Sequence, residues 1–293
     1  MAVVDEAFAE EVGADGAVTA VGLGTRHGPS LGARVVTAPT GVRDVQAAEM
    51  TVTCGAATPV EELCVALAAH GQTVALPRFG TVGGALAVGH SDLDRLRYGP
   101  MRDALLQARY VSSTGELVTI GGPTVKNVSG FDLCRLFVGA QGTLGFFSEV
   151  TLRTRPIPPF TRWCRSDADP ETLLAHLYRP ASVLWNGATT WVRLDGHPDD
   201  LDEQVRRHDL APVDAAPAVP TVARTSHAPR DLIDVARRLP HGFIAEVGVG
   251  VLHHEAPVAD GRTVDPAVAE LHRRIKQRFD PDGRLNPGRS PLP

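Results

Sequence analysis

Lysine is almost missing from this chain of 293 residues. Only Lys126 and Lys276 stand among its 29 basic residues, and neither follows a glycine, which excludes a Walker-type phosphate loop. With a net charge of -5 and no basic cluster, a nucleic-acid partner is also excluded, because non-specific affinity for a phosphate backbone comes from grouped Lys and Arg. Cysteine is sparse as well. Cys54, Cys64, Cys134 and Cys164 form no Cys-x-x-Cys pair, so there is no zinc finger and no run of iron-sulfur ligands, and all four read as structural thiols. No apolar stretch approaches the roughly 18 residues that a membrane helix needs. The opening residues, Met1 to Glu11, are acidic and lack the basic and apolar regions of a signal peptide, so a cytoplasmic location is expected.

Glycine and proline, by contrast, are abundant and segregated. Of 29 glycines, 21 lie within residues 1–150, whereas 17 of 23 prolines follow residue 150. The first half is therefore built on glycine turns and the second is punctuated by proline. A short strand at Val18–Val21 leads into a loop, Gly22–Gly32, that holds four glycines. A strand at Thr51–Cys54 precedes Thr58-Pro59-Val60-Glu61, a capping box with proline at the first helical position. The helix that follows carries Val60, Leu63, Cys64 and Leu67 on one face and stops at Gly71. Further strands are predicted near Val74, at 106–112, 117–120 and 144–153, with a short helix at 132–138. Three prolines between Pro156 and Pro159 can continue neither a ladder nor a helix, and they mark the domain boundary. Beyond it, strands are predicted at 182–185 and 189–194, helices near 170–178, 198–207, 230–239 and 265–279, a surface loop at 211–220, and one apolar strand at 243–252.

Gly22-x-Gly24 after a strand invites a dinucleotide fingerprint, but His27 stands where the third glycine belongs, so Rossmann binding is not expected. Two further clusters, Gly80-Thr-Val-Gly-Gly84 and Gly139-Ala-Gln-Gly-Thr-Leu-Gly145, complete a set of three. Successive backbone amides in such turns converge on anions without any lysine.

The order of these clusters carries a resemblance. Thr81-Val-Gly-Gly84, Arg97-Tyr-Gly-Pro-Met-Arg-Asp103, Lys126-Asn-Val-Ser-Gly-Phe-Asp132 and Gly142-Thr-Leu-Gly145 resemble the FAD-binding domain of the vanillyl-alcohol oxidase and p-cresol methylhydroxylase (PCMH) type, and most closely the FAD-binding subunit of bacterial glycolate oxidases. Asp280-Pro-Asp-Gly-Arg-Leu-Asn-Pro-Gly288 is similar to that family's carboxyl-terminal signature. The resemblance implies an α+β fold: a PCMH-type FAD-binding domain of two α/β lobes over 1–156, a small α+β cap over 160–242, and a segment, 243–293, that returns to the flavin. Little precedes Val18, so the first lobe is expected to be trimmed.

By the same resemblance, Gly22, Gly24 and Thr25 belong to the first pyrophosphate loop. Thr81, Val82, Gly83, Gly84, His90 and Ser91 belong to the central loop, with Asp103 nearby. Gly142, Thr143 and Gly145 form a further cofactor turn, and Asn286 lies near the flavin ring. Val82, Leu86 and Val88 are expected to shelter the apolar parts of the cofactor, so that binding comes from amides and apolar contact rather than ion pairs. The family's flavin-carrying histidine is displaced here by Thr25-Arg26, which implies non-covalent FAD.

Oxidation of a 2-hydroxy acid needs a base for the hydroxyl proton and a hydride path to the flavin. Glu246-Val-Gly-Val-Gly-Val-Leu-His253 resembles the family's His-x-Gly-Asp-Gly-Asn-x-His segment, whose outer histidines help bind a metal. Here only His253 is kept, and it is the catalytic candidate. On one strand, positions 246 and 253 face opposite sides, so convergence and a metal are not predicted. Arg273, Arg274 and Lys276 read as a charged outer helix face. The resemblance implies a glycolate or similar 2-hydroxy-acid oxidoreductase in a complex, with electrons leaving through an iron-sulfur or second flavoprotein subunit. A non-catalytic FAD-binding or electron-transfer subunit is the alternative, and a reductase resembling the enolpyruvyl-glucosamine reductase is a third.

Overall fold

The computed structural model describes residues 2–123, 132–258 and 264–292. Residues 126–131 of the Lys126 motif lie outside the described residues. The chain divides into two compact units, one of Met1–Asp92, Pro100–Ile157 and Arg262–Pro293, the other of Leu93–Gly99 and Pro158–Gly261. Helices and strands mix in both, giving the α+β class.

The first unit is built on a five-stranded sheet in the order Val42–Gln46, Thr51–Gly55, Phe146–Arg153, Leu105–Val111, Leu117–Gly121. Phe146–Arg153 is the central strand, and all but its last residue are buried. The helix Val60–Ala68 buries Val60, Leu63, Cys64 and Leu67, the face that its periodicity predicts. Its amino end differs from expectation. Pro59 takes the cap position, and the Val60 amide donates to the Gly80 carbonyl at 2.9 Å, so a neighbouring loop satisfies the donor. Thr58 Oγ1 instead donates to the Gly55 carbonyl and accepts from the Gly41 amide.

A smaller lobe pairs Val18–Ala20 in parallel with Arg34–Val36. Against it packs a helix, Ala2–Val12, which the sequence reading does not predict; Phe8 and Val12 join Val18, Val36, Phe146 and Leu285 in one core cluster. Asp5 on this helix is fully buried and accepts from Arg43 at 2.8 Å and Arg109 at 2.7 Å, with Ser148 also donating to it and Glu149 pairing with Arg43. The carboxyl-terminal signature closes the lobe. Arg284 donates to the carbonyls of Val12, Gly13, Asp15, Gly16 and Ser113 at 2.8–2.9 Å, so this arginine works as a clasp.

The second unit carries a seven-stranded antiparallel sheet in the order Ala211–Val213, Phe160–Ser166, Thr190–Gly196, Ser182–Trp185, Phe243–Glu246, Val251–His254, Ala223–Ser226. Alternate strand residues, among them Cys164, Val183, Trp185, Val192, Leu194, Ala245 and Leu252, share a core with Leu173, Leu201, Leu232 and Ile233 of three helices. Two expectations are corrected. Ala211–Val213 is an edge strand rather than loop, since its Pro212 needs no ladder donor there. Residues 243–254 do not join a returning segment: they supply two inner strands of this sheet, and the single predicted strand is broken by Gly248 and Gly250, whose φ values of +78° and +90° turn the chain into a hairpin. Leu93–Gly99 also belongs here, with the Tyr98 hydroxyl donating to Asp195 at 2.9 Å.

Candidate functional site

The three glycine clusters converge. Loop 22–27, the helix Val82–Val88 and the turn 141–145 line one cleft in the first unit, joined by Asn286 and Arg289. Gly22, Gly24, Thr25, Thr81, Gly83, Gly84, Gly142, Gly145 and Asn286 all line it.

The reason for glycine is steric at two positions. A Cβ on Gly22 would come within 2.6 Å of Thr81 Oγ1, so the first loop can lie against the second only without a side chain. Gly142 has φ +68°, and a Cβ there would meet Asn286 Nδ2 at 2.5 Å. Asn286 bonds through both ends of its amide. Its Oδ1 accepts from the Thr19 hydroxyl at 2.8 Å and the Ala20 amide at 3.2 Å, while its Nδ2 donates to the Gln141 carbonyl at 2.7 Å. It thereby ties the first strand, the third glycine turn and the carboxyl-terminal signature together at the edge of the cleft.

Six expected residues, Val82, Leu86, His90, Ser91, Asp103 and Thr143, do not line the cleft. Residues 81–88 are not a loop: Thr81 caps a helix, accepting from the Gly84 amide at 3.2 Å, and helical spacing sends Val82, Ala85 and Leu86 into the core while Gly83, Gly84, Ala87 and Val88 face the cleft. Of the three apolar residues assigned to shelter the cofactor, only Val88 reaches it. Ser91 Oγ accepts from the Met101 amide, Asp103 pairs with Arg135 at 2.9 Å, and His90 is exposed. Thr143 is buried; its hydroxyl donates to the Ala140 carbonyl, and its own carbonyl accepts from Lys276 Nζ at 2.8 Å. Lys276 is therefore no outer-face charge. Its ammonium also bonds Asp280 and the Leu285 carbonyl, fixing the long helix Pro266–Phe279 to the third glycine turn.

The charge of the cleft was not foreseen from the sequence. Arg26, His27 and Arg289 line it, and no Asp or Glu among the described residues does, although the chain as a whole is acidic. Burial, then Arg289 and Arg26, push the His27 imidazole below its usual value, the direction expected in a positive field. Burial likewise lowers Arg26 and Arg289, which remain cations at any ordinary pH. The available sequence signals were the position of Arg26 directly behind the first loop and of Arg289 directly behind the carboxyl-terminal signature.

In the second unit, Glu246 Oε1 and His253 Nε2 lie 2.7 Å apart. The hairpin explains the pairing that a single strand forbids. Ile244 faces His253 and Glu246 faces Val251, so Glu246 and His253 are diagonal neighbours on one face, within reach of long side chains. Glu246 is 3% exposed, and its carboxylate is directed to the imidazole. Among the described residues, no group of three or more His, Cys, Asp or Glu is placed to hold a metal ion. All four cysteines are free and buried, and burial pushes the Cys54 thiol up to about 12 and the Cys134 thiol up to about 11, so neither is a ready nucleophile.

The family model "FAD binding domain" matches residues 9–121, and "FAD linked oxidases, C-terminal domain" matches residues 233–290. In three dimensions the chain is similar to alkyldihydroxyacetonephosphate synthase, with a TM-score of 0.67 at 14% identity over 98% of this chain and 74% of that one, which speaks for the fold. The two family models mark an FAD-linked oxidoreductase with a PCMH-type FAD-binding domain, and its cofactor is FAD. Within that class the chain is similar to glycolate oxidase subunits. It is 24% identical to glycolate oxidase subunit GlcE of Escherichia coli (strain K12) over 85% of this chain and 84% of that protein. It is also 35% identical to D-lactate dehydrogenase of Archaeoglobus fulgidus and 37% identical to glycolate oxidase subunit GlcD of Bacillus subtilis (strain 168). Those two matches span only 26% and 17% of the respective relatives. No helix among the described residues is long and apolar enough to cross a membrane.

Proposed function

We propose that this chain oxidises glycolate or a similar small 2-hydroxy acid as the FAD-carrying subunit of a larger complex. The observation that carries the reading is the convergence of nine glycine-loop and signature residues on one acid-free cleft, in a chain similar along most of its length to a glycolate oxidase subunit. Gly22, Gly24, Thr25, Thr81, Gly83, Gly84, Gly142 and Gly145 hold FAD through amide and hydroxyl contacts, and no residue of the first loop bonds it covalently. When bound, FAD supplies a two-electron acceptor. His253 takes the hydroxyl proton of the substrate. With Nε2–H donated to Glu246, the neutral imidazole keeps its lone pair on Nδ1, the tautomer a base requires, and Glu246 stabilises the imidazolium that forms. Electrons then pass to a partner subunit bearing an iron-sulfur centre or a second flavin, since the chain has no cysteine run of its own. Four free cysteines fit a cytoplasmic setting.

Anaerobic mixing of the purified chain with glycolate or D-lactate tests this. Bleaching of the flavin band is the expected outcome, slowed about 100- to 10,000-fold in His253→Ala at unchanged flavin content. Absence of bleaching by any small 2-hydroxy acid favours the second reading, a non-catalytic FAD-binding or electron-transfer subunit. That reading draws on the reduced segment 246–253, in which Val249 and Val251 replace polar residues of the family pattern. Bleaching by NADPH instead would indicate the reductase.

A further inference from the structure

Cofactor binding is expected from amides and apolar contact alone, but one cation in the cleft keeps a buried donor without a partner. Arg26 follows the first glycine loop. Its Nη2 donates to the Phe79 carbonyl at 3.0 Å and its guanidinium carbon stands 4.1 Å over the Phe79 ring, which fixes the plane of the group. Nη1 is buried and has no hydrogen-bond partner among the described residues. It lies where a Cβ on Gly80 would stand and 3.7 Å from where a Cβ on Gly84 would be, so bare backbone of the second cluster makes its seat. Among the described residues, no carboxylate lines the cleft. A buried guanidinium N–H without an acceptor is costly, and a cation with a rigid fork of N–H groups is well matched to a phosphate.

We infer that Arg26 is the counter-cation for the diphosphate of FAD, and that the cleft thereby selects FAD over flavins lacking that group. The inference rests on the FAD reading above and adds to it a residue and a specificity. The glycine loops bring the backbone close to the diphosphate, and Arg26, held by Phe79, supplies the charge that amides lack. Arg289, on the same cleft and bonded to the Gly28 carbonyl at 2.5 Å, adds to the field without the orphaned donor.

The test uses the full chain freed of flavin and titrated with FAD, FMN and riboflavin, with inorganic pyrophosphate as competitor. The wild type is expected to bind FAD far more tightly than riboflavin, and pyrophosphate is expected to displace FAD but not riboflavin. Arg26→Met should weaken FAD about 10- to 100-fold while leaving riboflavin affinity within twofold, and Arg26→Lys should recover part of the loss. Equal weakening of FAD and riboflavin, or no change in either, would overturn the role of Arg26 while leaving the FAD reading intact. A wild-type chain that binds none of the three flavins would overturn both. If Arg26→Met does not fold, the pyrophosphate competition on the wild type decides: failure to displace FAD counts against the inference.

Discussion

The first unit surrounds its cleft with glycine backbone and two arginines and admits no carboxylate, whereas the second buries a carboxylate against a histidine on a sheet face. The cleft's recognition elements are largely backbone groups, brought close where side chains are missing. Those of the second unit are two side chains, brought close by the register of a hairpin. The difference has a thermodynamic side. Loops without side chains offer many amides, so the loss of any one amide is shared among the rest, while a diagonal pair such as Glu246 and His253 fails when either partner is removed.

The largest expected effect tests the backbone half of that contrast. Gly142→Val should abolish FAD retention while leaving the chain folded, because a branched side chain at φ +68° would press on Asn286 Nδ2 and close the turn. Normal flavin content in that variant would refute the placement of the turn. Next, Asp5→Asn should destabilise the first unit by about 3 kcal/mol, read as a shift in denaturation midpoint, because it leaves Arg43 and Arg109 without their shared buried carboxylate. Burial alone raises the Asp5 carboxyl, but hydrogen bonds from Arg43 and Ser148 and the two arginine charges outweigh it and hold it below its ordinary value. That stabilisation is present above the usual carboxylate range and is lost as pH falls through the depressed value, a loss the variant should not show.

Glu246→Gln comes third. It should slow flavin reduction by about tenfold or more, ~1.4 kcal/mol, and change the pH profile, with flavin content and midpoint unchanged. A fall in flavin content would tie the second unit to cofactor retention and blur the contrast. The smallest effect concerns the opposite sheet face. His254 is buried with Nε2 2.9 Å from Thr225 Oγ1, and burial, then His227 and His253, lower its pKa. An imidazole kept neutral in the fold stabilises it fully above the ordinary histidine value, and that contribution is lost as pH falls through the depressed one. His254→Gln should flatten this acid limb of the stability curve.

How much of this was legible in the sequence follows from the same contrast. Glycine clusters sit within a few residues of one another, so 22–25, 80–84 and 142–145 could be read as cofactor loops and the FAD-binding fold named. Local periodicity located the buried face of Val60–Ala68 for the same reason. What escaped depends on distant partners. Val82 and Leu86 were assigned to the cofactor because a glycine-rich stretch reads as loop, whereas Thr81 caps it into a helix that turns both inward. Lys276 looked solvated until the Thr143 carbonyl and Asp280 were brought to it. Glu246 and His253 diverge on one strand and converge on two, and only the glycines at 248 and 250 hinted at the bend.

The central claim is that the first unit is an FAD site, and the visible absorption spectrum of the purified full chain tests it most directly. The expected result is a flavin spectrum with about one FAD per chain, released into solution on acid precipitation. A colourless protein that also fails to take up added FAD would contradict the claim.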